Sequence, residues 1–259
     1  VGLVNRIFWG LVGLVLRLRY RVSAAGFTEL RNLTGPVLVL PNHPAYIDPP
    51  IVLTHARLRH PLRPLVYAGT YRLPFLLPLM KLVRAFEVPD LSGQSRAAAA
   101  RTKELIDAVV GRVRAGDSFL IYPSGRLQRG NQELLGSARL VFELVSQCPE
   151  LTVVLIRTRG VWGSLFSCAR SGTLPDLSRV VLEAGVWLLA GLGVFLPRRR
   201  VHLQAEVMPR ERLPLASREA FNGFLEAWFN ENPATGNRGE EPTFVPFSYL
   251  FGPRSVTFK

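Results

Sequence analysis

Two residues five positions apart, His43 and Asp48, are the pair best placed to do chemistry. A carboxylate at that spacing can close a tight turn onto one imidazole nitrogen and leave the other facing a substrate. The contact fixes the tautomer and raises the basicity of the free nitrogen. Such a base suits removal of a proton from an alcohol that attacks a thioester. No nucleophilic Ser or Cys is then needed, because a thioester is already activated. With four His and five Asp in 259 residues, this spacing arises by chance roughly 8% of the time. On spacing alone, a loop histidine followed by an aspartate capping a helix before Pro49 is the better explanation of the pair.

Position supplies what spacing lacks. The segment Pro41-Asn42-His43-Pro44-Ala45-Tyr46-Ile47-Asp48 follows the apolar run Val37–Leu40, which reads as a buried strand. His43 therefore emerges at the C-terminal end of a strand, where ligands of open α/β sheets bind. A second segment, Phe119 to Arg126, repeats the arrangement: an apolar strand runs into Pro123-Ser124-Gly125 and then Arg126. Backbone N–H groups of such a turn, with a guanidinium beside them, make a phosphate site. Arg129 and Arg139 are near enough in sequence to widen it. The alternative is a surface turn with a solvated arginine.

The elements that must hold these segments alternate in type. An N-terminal helix runs to about Tyr20, and a short strand leads to the turn at Gly35-Pro36. Further strands are expected at Pro64–Ala68, Ser118–Tyr122, Thr152–Ile156 and His202–Val207. Helices are expected at Ser95–Arg114, at Glu133–Ser146 and, with Ser217 as N-cap, at Ser217–Asn230. The pattern predicts an α/β fold with a mixed sheet flanked by helices. Val180–Leu196 is strongly apolar but carries Glu183, Gly185, Gly191 and Gly193, which favours a helix–turn–strand over a membrane span. The expected organisation is an amphipathic membrane-associating helix over 1–22, a catalytic domain over 23–214, and a C-terminal helix and tail over 215–259.

Composition narrows the partners. The chain has 48% hydrophobic and 20% charged residues, enough for a substantial core. Its net charge of +13 calls for a polyanionic partner. The basic residues interleave with apolar runs, as in residues 14–22 and 194–201, which favours a lipid surface. No nucleic-acid-binding module is present, and nucleic acid is not an expected partner. The clean run Ile7–Leu16 is shorter than the roughly 20 residues that span a bilayer, so an interfacial helix is expected. Cys148 and Cys168 match no metal-ligand spacing, and neither a metal nor another cofactor is expected. The chain opens on Val1, which suggests an excised or processed segment.

Together the two segments resemble the glycerolipid acyltransferase family of lysophosphatidate acyltransferase-like enzymes. Asn42, His43 and Asp48 match its Asn-His-x-x-x-x-Asp motif, and Tyr122, Pro123, Gly125 and Arg126 match its aromatic-Pro-Glu-Gly motif with an arginine. Tyr71-Arg72-Leu73-Pro74 and Phe86-Glu87-Val88-Pro89 look like its weaker second motif. Val153–Arg157 stands in the place of the fourth, without the usual proline. The resemblance covers roughly residues 15 to 210. It implies the glycerolipid acyltransferase-like fold, with His43 as general base and Asp48 orienting it. Asn42, Ser124, Gly125 and Arg126 become the substrate-binding residues, and backbone amides near Asn42 become candidate oxyanion donors.

The implied reaction carries a fatty acyl group from acyl-CoA or acyl carrier protein to the hydroxyl of a lysophospholipid, at the cytoplasmic face of a membrane. One departure stands out: Ser124 occupies the position of the motif glutamate. The arginine directly after Gly125, the stretch Arg159–Ser167, Pro197-Arg198-Arg199 and the tail Gly239-Glu240-Glu241-Pro242 are similar to the bacterial members that act on 2-acylglycerophosphoethanolamine. Those are fused to an acyl-acyl carrier protein synthetase, so the resemblance implies an adjacent acyl-activating, AMP-binding domain. Ser124 also supports a different class of function, a catalytically silent lipid-binding or scaffold domain that keeps the fold.

Overall fold

Short, largely apolar strands build a seven-stranded sheet. The computed structural model describes residues 3–90, 96–191, 197–232, 236 and 238–245, with side chains described from residue 7 onward. The strands are β1 (Tyr20–Ala25), β2 (Val37–Pro41), β3 (Leu62–Tyr67), β4 (Phe86–Val88), β5 (Ser118–Leu120), β6 (Thr152–Arg159) and β7 (Arg199–Met208). Their order is β1-β7-β6-β2-β5-β3-β4. Among the described strands only β6 and β7 pair antiparallel; the other five pairings are parallel. β2 is buried along its whole length, as expected for a parallel strand covered on both faces.

The helices are α1 (Leu3–Arg19), α2 (Asp48–His55), α3 (Ala68–Tyr71), α4 (Leu77–Leu82), α5 (Arg96–Arg114), α6 (Leu140–Gln147), α7 (Leu177–Ala190) and α8 (Arg218–Asn230). The period-2 alternation of the strands sends side chains to two separate cores. Leu38, Leu40, Phe119, Val153 and Leu155 meet α5, α6 and α8. Val37, Val39, Leu120, Val154, Ile156, Val201 and Leu203 meet α2, with Leu16 of α1 and Leu177, Val180 and Ala184 of α7 packed alongside.

The mixed sheet flanked by helices is as the sequence predicts, and Ser217 caps α8 by accepting from the Ala220 N–H at 3.1 Å. One expected helix is shorter than predicted. The helix expected over Glu133–Ser146 forms only from Leu140, because Gly136 takes φ +56, a left-handed conformation that stops helical propagation. In the Val180–Leu196 stretch the helix is α7, and residues 192–196, where the turn would lie, fall outside the described residues. Arg199, in the basic run after residue 196, is 2% exposed and donates to the carbonyls of Gly160, Gly163 and Thr243. Its charge straps the C-terminal segment to the sheet. α2, α3, α4 and β4 have no counterpart in the expected element list.

Candidate active site

β2 ends at Pro41, and the chain turns at once into the loop that carries His43. Asn42 anchors this turn. Its side chain donates to the Thr158 carbonyl (3.1 Å) and accepts from the Thr158 N–H (2.7 Å), so its amide is spent against β6. α2 begins at Asp48, where Pro49 and Pro50 fill first-turn positions whose N–H groups would otherwise lack partners. Asp48 is wholly buried at that helix start, where the helix dipole favours a carboxylate.

The two chemical residues meet. His43 Nδ1 lies 3.2 Å from Asp48 Oδ2, and the same oxygen accepts the Ala45 N–H at 3.0 Å. With Nδ1–H donating to Asp48, Nε2 is the free basic nitrogen. The ring of Tyr122 stacks on the imidazole, centroids 3.9 Å apart and planes 25° apart, and Tyr46 approaches edge-on at 6.4 Å. The imidazole is thus held in plane by an aromatic face and in rotation by a carboxylate. Its side chain keeps 13% of its surface exposed, an opening through which a substrate hydroxyl can reach it.

The loop after β5 closes over His43. The Gln128 N–H donates to the His43 carbonyl at 2.8 Å, and the His43 N–H donates to Glu133 Oε2 at 2.9 Å. Within that loop the Gly125 N–H donates to the Tyr122 carbonyl at 2.9 Å, and Gly125 takes φ +65, a conformation that costs glycine nothing. The turn sets Arg126 in solvent, two residues before the Gln128 contact. The Ser124 hydroxyl donates to the Arg126 carbonyl at 2.9 Å. The amides nearest Asn42 are both engaged, Asn42 N–H with the Ile156 carbonyl at 3.3 Å and His43 N–H with Glu133.

Burial sets the protonation states. It pushes the His43 imidazole down to about 4, opposed by the negative charge of Glu133. It pushes the Asp48 carboxyl well above its ordinary range, opposed by the Ala45 N–H. Glu133 is likewise raised by burial, and the Ser124 hydroxyl and His43 N–H pull it back down. At neutral pH the imidazole is therefore neutral, the state a general base needs. A proton arriving at Nε2 would be compensated by two carboxyl groups already in place. Among the described residues no group of His, Cys, Asp and Glu could hold a metal ion, and both cysteines are buried and free.

Residues 22–157 match the Acyltransferase family profile. The chain belongs to the Acyltransferase family. A search of curated proteins finds no match. Among solved structures, the acyltransferase is similar to the 1-acyl-sn-glycerophosphate (LPA) acyltransferase PlsC of Thermotoga maritima. The TM-score is 0.55 and the identity 13%, over 87% of this chain and 78% of that one. At that identity the likeness speaks for the fold, and it shows the sheet flanked by helices to be the one the resemblance implies.

Of the residues expected in the acyltransferase's site, His43 and Asp48 are in contact, and Ser124, Gly125 and Arg126 share the turn that closes over them. Asn42 lies beneath, facing β6. No motif in the sequence marks Glu133 or the grip of Gln128, and Tyr122 stands there only as a motif match. The one available signal for Glu133 was its place between Gly130 and Gly136, a spacing that argues against a helix there.

Proposed function

We propose that this acyltransferase moves a fatty acyl group from a thioester donor, acyl-CoA or acyl carrier protein, to the hydroxyl of a lysophospholipid. The observation that carries the reading is the buried His43–Asp48 pair at the C-terminal edge of the sheet, its Nε2 unengaged. Nε2 accepts the hydroxyl proton as the alcohol oxygen bonds to the thioester carbonyl carbon. The C–S bond then breaks, and the imidazolium returns its proton to the leaving thiolate. Asp48 holds the ring and balances the transient charge. Arg126, on the Gly125 turn, binds the acceptor phosphate.

The contiguous Gly125-Arg126 and the Arg159–Ser167 stretch support a 2-acylglycerophosphoethanolamine-type acceptor and an acyl-activating neighbour domain; lysophosphatidate is the other acceptor of the class. Mass spectrometry of products from a mixed lysolipid panel, offered with palmitoyl-CoA and with palmitoyl-acyl carrier protein, tests this. His43→Ala should remove product formation while leaving the fold intact; undiminished turnover would refute the base. Arg126→Ala should chiefly raise the acceptor KM. The rival reading, a silent lipid-binding domain, rests on Ser124 and predicts vesicle binding with no product.

We also place the enzyme on the cytoplasmic face of a membrane, as a peripheral or monotopic protein. Leu11, Leu14 and Val15 of α1 and Leu182, Val186 and Leu189 of α7 are exposed. A groove beside Trp9 of α1 is lined by Arg31, Arg57, Arg59, His60, Lys81 and Arg84 with no carboxylate. Apolar side chains beside unopposed cations suit anionic headgroups over acyl chains. Among the described residues no helix is long and apolar enough to cross a membrane.

A further inference from the structure

The side chain with the least obvious reason to be where it is belongs to Glu133. It is 2% exposed, it sits in no helix or strand, and its Oε1 has no hydrogen-bond partner. Burying a carboxyl in that way is costly. A neutral amide would accept the same N–H without most of the cost, so what the carboxyl adds is negative charge. That charge is aimed with care. The Glu133 N–H donates to Asn230 Oδ1 and the Glu133 carbonyl accepts from Asn230 Nδ2, each at 2.8 Å. Two hydrogen bonds from the last residue of α8 therefore fix the Glu133 backbone, and Oε2 in turn takes the His43 N–H at 2.9 Å. With Gln128 holding the His43 carbonyl, the catalytic loop is gripped at both main-chain groups of one residue.

We infer that Glu133 is a positioning residue of the acyl-transfer base, holding the His43 loop through its amide and supplying a second negative charge to the imidazolium that forms in the reaction. The inference rests on His43 being the base. Among the described residues, Asp48 from α2, Glu133 and Tyr122 from the loop after β5 and Tyr46 of the histidine's own loop are the titratable groups around the imidazole. Of these Asp48 acts at the ring nitrogen and Glu133 from the main-chain side. Ser124 lies beside Glu133, and its hydroxyl draws the pKa of that carboxyl downward. The position where the related enzymes carry glutamate thus adjoins a carboxyl delivered from nine residues further on.

The test compares Glu133→Gln, Glu133→Ala and His43→Ala by kcat, KM, melting temperature and pH–rate profile. Substrates are palmitoyl-CoA with lysophosphatidate or lysophosphatidylethanolamine in detergent micelles. Gln keeps an acceptor for the His43 N–H and removes the charge. It should leave the melting temperature and acceptor KM near wild type, lower kcat about fivefold, and move the acid limb of kcat/KM to lower pH. Ala removes both and should lower kcat about a hundredfold. Wild-type kcat and an unmoved acid limb in Glu133→Gln, with His43→Ala inactive, would overturn the role of Glu133 and leave the base standing. An equal loss in Gln and Ala that tracks a lowered melting temperature, with the acid limb unmoved, would overturn it too. Transfer persisting in His43→Ala would overturn the base and the inference together.

Discussion

The two faces of the sheet solve the same burial problem in opposite ways. On one, α5, α6 and α8 turn apolar side chains inward and charge outward: Leu105, Val109, Val113, Leu144, Phe221 and Leu225 are buried, while Arg101, Lys103, Glu104 and Asp107 face solvent. None of the exposed large apolar side chains lies on those three helices. On the other, α2 seals the sheet beneath the catalytic loop, but α1 and α7 leave Leu14 59%, Leu182 70% and Leu189 76% exposed. A helix apolar on more than its inner stripe has a second partner to meet. The first face closes a core; the second leaves apolar side chains uncovered, and on the proposed function these meet lipid.

The sharpest way to break this contrast is to truncate the closed face. Phe221 is fully buried against Phe142, ring centroids 5.9 Å apart. Phe221→Ala should cost about 3–5 kcal/mol of stability, read by urea denaturation, and should lower activity only through the folded fraction. Next in size is the open face. Leu182→Glu with Leu189→Glu should change stability by less than about 0.5 kcal/mol. The same pair should weaken binding to anionic vesicles by about tenfold or more, since each lost leucine insertion removes about 1.5–3 kcal/mol at full burial. Unaltered vesicle binding would make this face a site for something other than a membrane.

How much of this was visible in the sequence follows the same division. The strand-then-loop pattern at Val37–His43 and Phe119–Arg126 was legible because buried parallel strands are apolar without interruption and end in turn residues. The alternation of strands and long helices likewise predicted the α/β sheet. Short elements were not legible: α3 has four residues and β4 has three, too few to show a period. Glu133 was hidden for another reason. Its contacts with His43 and Asn230 lie 90 and 97 residues away in sequence, and no local pattern encodes them. The burial of Arg199 was hidden likewise, because its side chain bonds carbonyls that only the folded chain assembles.

A smaller effect should come from charge. If the basic groove faces headgroups, each cation removed there should weaken binding to phosphatidylserine vesicles by about 1 kcal/mol at low salt. Arg57→Gln and Lys81→Gln should add, and the difference from wild type should shrink as salt rises. Neutral phosphatidylcholine vesicles should bind both variants as they bind wild type. Loss on neutral vesicles as well would show that these substitutions disturb the fold rather than the groove.

The finest test uses one residue on which stability and binding should move in opposite directions. Arg84 follows α4 at φ +55, the one positive φ among described non-glycine residues. The Arg84 N–H donates to Lys81 and the Ala85 N–H to Met80, the pattern of a helix end that usually takes glycine. A left-handed conformation costs a side-chain-bearing residue about 1–2 kcal/mol, and this chain places an arginine there, in the wall of the basic groove. Arg84→Gly should relieve that cost, offset in part by the added freedom of glycine in the unfolded chain. The Arg84 carbonyl that accepts from Arg63 Nε at 3.0 Å remains. The net expectation is a gain of about 0.5–1 kcal/mol in unfolding free energy together with weaker binding to anionic vesicles. A variant both more stable and equally well bound would mean that the arginine is strained for no purpose at the membrane, and the groove would lose its strongest local argument.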